Sequence, residues 1–245
     1  MALIVCHGPK GGAGTTFVAA HLAMTFAGAG ADVTVLSVAA RDTLPLHFGL
    51  AMGAPLPHLA APADSAVVVG GIDLRNAALA SRDQDFVPML RDLGFLAPGA
   101  DRVLVLDVPA GEPAFAQRMI AHACAHVCPL DPHPDTLALL PQVFEEAGAE
   151  GLQRTAFVIN RLDDTRRLSR HNAAFIRELA GTRLIGRIRL DEAVREAMAM
   201  LQPLAKYSPA SAALVDMQRI GSIMAPALEN TAPVWVAPEA ESRAA

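Results

Sequence analysis

Leu3-Ile4-Val5-Cys6-His7-Gly8-Pro9-Lys10-Gly11-Gly12-Ala13-Gly14-Thr15-Thr16 is the stretch on which the fold of this chain turns. Its apolar start, Leu3 to Val5, reads as a strand, and Phe17-Val18-Ala19-Ala20-His21-Leu22-Ala23 reads as the opening of a helix. A glycine-rich loop joins them. Strand, glycine loop and helix in this order form a phosphate cradle: glycines let successive backbone N–H groups turn inward, and the helix N-terminus adds positive partial charge. Thr16 stands where the hydroxyl that ligates Mg²⁺ belongs in a P-loop. Pro9 replaces the first glycine of the usual Gly-x-x-x-x-Gly-Lys-Ser/Thr pattern, and Thr15 replaces its lysine. The plain alternative is a strand-to-helix turn that holds no ligand. Lysine usage speaks against it, since the chain has only Lys10 and Lys206 beside eighteen arginines, and one of the two falls here.

Two further stretches supply what such a cradle needs. Arg102-Val103-Leu104-Val105-Leu106-Asp107 reads as a buried parallel strand that presents a carboxylate at its C-terminal edge, where open α/β sheets bind ligands. It continues into Val108-Pro109-Ala110-Gly111, a turn. Thr155-Ala156-Phe157-Val158-Ile159-Asn160-Arg161 is another apolar strand, ending in an amide. Alone, a strand ending in Asn simply makes a turn.

Taken together, Lys-Gly-Gly-x-Gly-x-Thr at residues 10–16 and Asp-x-Pro-Ala-Gly at 107–111 resemble the deviant P-loop and switch II of the ParA/MinD ATPases. Within that superfamily the Gly-Thr-Thr ending resembles the BcsQ family of cellulose biosynthesis proteins. The resemblance covers residues 2 to about 226 and implies a doubly wound, mostly parallel α/β sheet of the P-loop NTPase type. It implies ATP and Mg²⁺ as ligands. Gly11, Gly12, Ala13, Gly14, Thr15 and Thr16 would cradle the phosphates, with Gly111 N–H meeting the γ-phosphate. Thr16 and Asp107 would hold Mg²⁺, Asp107 through water. Asn160, with Arg161 beside it, would face the adenine ring. Lys10 and Asp107 would be the catalytic pair, Lys10 acting across a homodimer interface on the partner's nucleotide.

Two departures from the family pattern bear on catalysis. A lysine is absent at Thr15, and the switch I aspartate that helps place water is Ser37 in Ser37-Val38-Ala39-Ala40-Arg41-Asp42. Losing one electrostatic group of this kind costs roughly 10²–10³ in rate. Nucleotide binding is therefore expected to outlast hydrolysis. Asp42 lies five residues beyond Ser37 and is read as a helix cap ahead of Thr43-Leu44-Pro45-Leu46-His47-Phe48-Gly49.

Composition sets wider bounds. At 245 residues, 52 % hydrophobic and 4 % aromatic, the chain can build one large aliphatic core suited to parallel strands buried on both faces. A net charge of −5 excludes a uniformly basic nucleic-acid binder. Residues 154–195 nevertheless hold ten arginines and five acids, read as a solvated helix face. Three sparse cysteines (Cys6, Cys124, Cys128) point to a reducing compartment and to buried apolar roles, because Cys124 to Cys128 crosses from helix to strand and scatters any metal ligands. No window approaches a membrane span, so a cytoplasmic protein without its own membrane anchor is expected.

Along the rest of the chain, Val33 to Leu36, Ala66 to Val69, Ala125 to Leu130 and Leu184 to Leu190 read as strands, with Ile72 to Arg75 as a possible edge strand. Residues 51–65 read as loop. Helices are expected at 85–96, 114–123, 137–147 (capped by Asp135 or Thr136), 166–180 and 192–200, and a last one starting at Ser208-Pro209. A ParA/MinD-like domain over 1–228 and a disordered tail over 229–245 follow. The partners implied by the resemblance are the cellulose synthase complex or its accessory proteins at the inner membrane or a cell pole, with no direct nucleic-acid binding. The rivals are an active partitioning or positioning ATPase acting on DNA or membrane, and a nucleotide-free structural subunit.

Overall fold

The computed structural model describes residues 2–96 and 102–229. Its strands are β1 (Ala2–His7), β2 (Asp32–Ser37), β3 (Val67–Val69), β4 (Ile72–Asn76), β5 (Arg102–Val108), β6 (Ala125–Leu130), β7 (Thr155–Leu162) and β8 (Leu184–Arg189). They form one sheet in the order β3-β4-β2-β5-β1-β6-β7-β8. Every pairing is parallel except β3 with β4. The helices are α1 (Thr15–Gly28), α2 (Leu44–His47), α3 (Phe86–Asp92), α4 (Pro113–Ile120), α5 (Pro134–Arg154), α6 (Arg167–Ala180), α7 (Ala193–Ala199), α8 (Leu204–Tyr207) and α9 (Ala212–Glu229).

Strand alternation divides the apolar residues between two layers. Ile4, Cys6, Val33, Val35, Val103, Val105 and Val127 face α1 and α9, while Leu3, Val5, Leu36, Leu104 and Leu106 face the opposite layer with Phe86, Leu90, Phe115 and Met119. Cys128, Leu130, Phe157 and Ile159 extend that second layer toward Leu140 of α5 and Ile176 of α6. This is the doubly wound, mostly parallel arrangement expected. Two glycines let α9 pack closely, one against the sheet and one against α1: a Cβ at Gly186 of β8 would stand 2.5 Å from Ile220 Cγ1, and one at Gly221 2.4 Å from Thr25 Cγ2 of α1.

Topology places the ligand edge. β1 sits between β5 and β6, so the chain leaves β1 on one side toward β2 and later crosses back from β5 to β6. The C-terminal ends of β1, β2 and β5 therefore open a crevice, the usual binding position in such sheets. Register brings Asp107 level with Cys6 on one side and Ser37 on the other.

Several local expectations are corrected. Ile72–Asn76 is an interior strand paired to β2 as well as β3, and the short β3 is the edge; pairing with β2 is a long-range event that local sequence does not encode. The last helix starts at Ala212 rather than after Ser208-Pro209, and Ser211 Oγ caps it by accepting from Leu214 N at 3.2 Å. α3 is shorter than its apolar spacing suggests, because residues 93–96 form a turn. α5 begins at Pro134, which puts Asp135 inside the first turn rather than at the cap, and it breaks at Gly148 (φ 60°, ψ −179°). The expected tail falls on residues 230–245, outside the described residues, while Glu229 still belongs to α9. Among the described residues no helix is long and apolar enough to cross a membrane.

Candidate functional site

The loop between β1 and α1 is shaped by backbone that only glycine adopts easily. Gly12 (φ 86°) and Gly14 (φ 89°) are left-handed, and Gly14 is the last residue before α1. A Cβ at Gly14 would lie 2.1 Å from Asn160 Nδ2, whereas Cβ atoms at Gly11 and Gly12 would project into open space. The loop is thus packed behind and open in front, which is the form of an anion cradle at a helix N-terminus.

β7 braces it from below. Asn160, buried, donates from Nδ2 to Ala13 O at 2.8 Å and accepts at Oδ1 from Arg161 N at 2.9 Å. Arg161, itself left-handed (φ 56°), donates from Nη1 to Gly12 O at 2.6 Å. Each Asn160 amide atom keeps one further hydrogen-bonding capacity.

The loop forms one wall of a cleft of about 440 Å³. Lys10, Gly11, Gly12, Gly14, Thr15 and Thr16 line it, joined by Asn160 and Arg161. Pro109 and Ala110 after β5 close one end, and Ala39, Arg41, Thr43 and His47 after β2 face the loop. Ile188, Leu190, Val194, Met198 and Ala213 add an apolar lining. Ala13 is turned into the core, and Gly111 is exposed beyond Ala110 without lining the cleft.

Asp107 lies buried beneath this cleft, where the Thr16 hydroxyl donates to its carboxylate. Desolvation pushes its pKa up to about 7, the Thr16 hydrogen bond works against that, and the charge of Asp42 adds to it. A buried carboxylate supported by one hydroxyl and no cation, next to a glycine cradle, is a hard-oxygen donor set that fits Mg²⁺. Asp42 meanwhile serves the backbone around it. Its Oδ1 accepts from Leu44 N at 2.9 Å, heading α2, and its Oδ2 accepts from Asn76 Nδ2 at 3.0 Å. Ser37 is fully buried and its hydroxyl accepts from Ala39 N at 3.3 Å.

Lys10 is held within its own chain. Nζ lies 2.9 Å from Asp131 and 2.7 Å from Asp135, at the end of β6 and in the first turn of α5. Desolvation disfavours the ammonium, but the Asp135 and Asp131 carboxylates together hold its pKa above the usual lysine range. Asp131, His133 and Asp135 also converge closely enough to bind a cation, and Lys10 occupies that position. These partners are more than 120 residues from Lys10, and the Asp-Pro-His-Pro-Asp turn gave no sign of them beyond its two acids.

Two histidines pack together at the cleft wall, His47 lining it and His21 behind Phe17. Phe17 stacks on His21 at 4.2 Å between ring centroids, and His47 of α2 meets the His21 ring edge-on at 5.8 Å. Burial lowers His21 to about 4 and His47 to about 3, so both are neutral. His21 Nδ1 donates to Phe17 O at 3.0 Å, and its Nε2 has no partner among the described residues. His126 and the cysteines form no metal cluster among the described residues: His126 bonds His7 O and Thr155 Oγ1, while Cys6 and Cys128 are core side chains.

Comparison with known proteins shows the family and the fold. A family model described as "Cellulose biosynthesis protein BcsQ" matches residues 1–223. No curated protein matches the chain by sequence. Among solved structures, a ParA family ATPase from Chlorobium tepidum aligns at 17 % identity over 90 % of this chain and 97 % of its own, with a TM-score of 0.71. The septum site-determining protein MinD of Pyrococcus horikoshii, complexed with Mg-ADP, aligns at 19 % identity over 90 % of this chain and 94 % of its own, TM-score 0.66. A McdA–ATP complex from Cyanothece aligns at 17 % identity over 94 % and 96 %, TM-score 0.68. These structural matches show the shared P-loop NTPase fold.

Proposed function

The chain belongs to the BcsQ family of cellulose biosynthesis proteins, and from that premise we propose that it is an ATP- and Mg²⁺-binding, ParA/MinD-like accessory protein of cellulose synthesis whose ATP hydrolysis is weak or absent. The observation that carries this reading is the Asp107 carboxylate, buried and bonded to Thr16 under an open glycine cradle. Gly11, Gly12, Gly14, Thr15 and Thr16 would hold the phosphates through backbone N–H groups, and Thr16 with Asp107 would hold the ion. The bound ion would supply charge neutralisation at the phosphates. Asn160, with Arg161, would meet the adenine using the capacity left on its amide, while Ile188, Val194 and Met198 would pack the base.

Weak or absent turnover follows from what is missing. Thr15 brings no charge to the phosphates, and Ser37 is a buried hydroxyl committed to Ala39 N, so neither placement nor activation of water is provided from β2. Asp42, the nearest carboxylate in that segment, is already used by Leu44 N and Asn76.

Lys10 gives the reading its assembly step. In this conformation it is satisfied by Asp131 and Asp135, and a homodimer contact with the partner's triphosphate would require it to leave them. Nucleotide on both subunits would then favour the dimer, which would be the form presented to cellulose synthase or its accessory proteins at the inner membrane.

Thermal unfolding with and without ATP–Mg²⁺ tests the core of the reading, because ligand at a hundred times Kd adds about 2.7 kcal/mol. No shift with ATP–Mg²⁺ would leave a structural subunit that keeps only the fold. Lys10→Ala is expected to keep nucleotide binding and to lose ATP-dependent dimerisation in analytical ultracentrifugation. A parent that dimerises equally without nucleotide would remove the assembly step.

A further inference from the structure

Five cationic side chains line the cleft, and four of them are engaged. Lys10 pairs with Asp131 and Asp135, Arg161 holds Gly12 O, Arg189 makes a bidentate pair with Asp216, and Arg195 pairs with Glu192. The fifth, Arg41, has no hydrogen bond or ion pair to any described residue. It stands exposed on the segment after β2 and lines the same cleft as Thr15, the position where a P-loop lysine would reach the phosphates.

The segment is tethered on both sides of Arg41, through the Ala39 carbonyl and the Asp42 carboxylate. Asn76 Nδ2 donates to Ala39 O at 3.2 Å and to Asp42 Oδ2 at 3.0 Å, and Asp42 is further tied to Leu44 N. This clamp at residues 39 and 42 leaves Arg41 as the polar side chain of the segment without a partner among the described residues. The segment also sits at the phosphate end of the cleft: Val38 N donates to Asp107 O at 3.1 Å, and Ser37 is level with Asp107 in the sheet. The apolar lining suited to a base comes from other elements, Ile188 of β8 and Met198 of α7.

We propose that Arg41 supplies, from switch I, the charge that Thr15 does not, and that it binds the terminal phosphate of a nucleoside triphosphate in its own subunit. A guanidinium gives planar, two-pronged donation to phosphate oxygens and never deprotonates, so it suits this substitution better than a neutral donor. It also separates binding from hydrolysis. Arg41 answers the charge of the γ-phosphate, while the carboxylate that would orient water is still lacking at Ser37. The consequence is a protein that distinguishes ATP from ADP without rapidly converting one to the other.

This inference rests on the nucleotide-binding reading, and one titration series separates their failures. Kd is measured for ATP–Mg²⁺ and ADP–Mg²⁺ by calorimetry on the full chain, its Arg41→Ala and Arg41→Glu variants, and Arg177→Ala, which removes an exposed arginine on α6 remote from the cleft. The parent should prefer ATP. Arg41→Ala should weaken ATP by roughly tenfold to a hundredfold, the scale of a hydrogen bond to a charged group, with ADP little changed. Arg41→Glu should make ADP the tighter ligand, and Arg177→Ala should leave the ratio of the two Kd values as in the parent. Circular dichroism confirms that the variants are folded. An ATP:ADP ratio unchanged in Arg41→Ala overturns the Arg41 role alone, as does an equal loss in Arg177→Ala, which would mark a general charge effect. A parent that binds neither nucleotide overturns both readings.

Discussion

The loop that leaves β1 and the segment that leaves β2 face each other across one cleft, yet they are built on different principles. The first works through its backbone: left-handed Gly12 and Gly14, open space before Gly11 and Gly12, and a brace from Asn160. The second works through side chains: Asp42 and Asn76 clamp a turn from which Arg41 projects. Backbone N–H groups can receive phosphate oxygens whatever residue stands at position 15, so a cradle of this kind would outlast loss of its lysine. Charge has no such redundancy, and its position depends on which side chain is left free. Binding geometry and charge placement are therefore separable in this site.

The two regions are joined underneath by the contact between His21 of α1 and His47 of α2. Acid should break that join, and the effect should be large. Both rings are held below the ordinary value of 6.5 by burial, to about 4 and about 3, so the unfolded chain takes up protons first as pH falls. Their stabilisation is whole above about 6.5 and is lost progressively below it. His126, lowered to about 3, contributes to the same limb. Urea denaturation should therefore show stability falling steadily from pH 6.5 to pH 4. The His21→Leu, His47→Phe double variant should flatten that slope without removing it. A parent curve flat over this range would mean the rings are solvated.

Asp107→Asn tests the floor of the cleft that both regions share. An outer-sphere partner of a metal is worth about 10- to 100-fold in affinity, so ATP–Mg²⁺ should weaken by that factor while metal-free ATP, held by the backbone loop, changes little. Equal affinity with Mg²⁺ present would take Asp107 out of the site. The smallest effect expected is that of Asn76→Ala, which deletes the clamp on the β2 segment. Loss of its side-chain bonds should cost about 1 kcal/mol of stability. Amide exchange should quicken at residues 38–43 and not at 8–14. Uniform quickening in both would show that the two regions are one unit.

Those contrasts track what could be read from residues alone. The P-loop, the strand carrying Asp107 and the alternation of helix with strand are contiguous patterns, and the layered parallel sheet follows from them. The edge position expected for Ile72 to Arg75 failed because strand order is set by crossover connections, which bring β4 against β2. Ser208-Pro209 is a good helix start by residue type, but the turn through Ser211 took that role.

At the site the division is the same and has one physical cause. Glycine loop geometry, the Thr16 hydroxyl and the strand-end carboxylate are local consequences of residue type, legible in the order of amino acids. How the charges are spent depends instead on the packed fold. Lys10 meets Asp131 and Asp135, Asn160 meets Ala13, and Asp42 meets Asn76 only because β6, β7 and β4 end at the same edge as the loops. Electrostatic energy falls with distance in space and not along the chain. Which cation remains uncommitted, Arg41 among the five that line the cleft, is therefore settled only when the strands are in place.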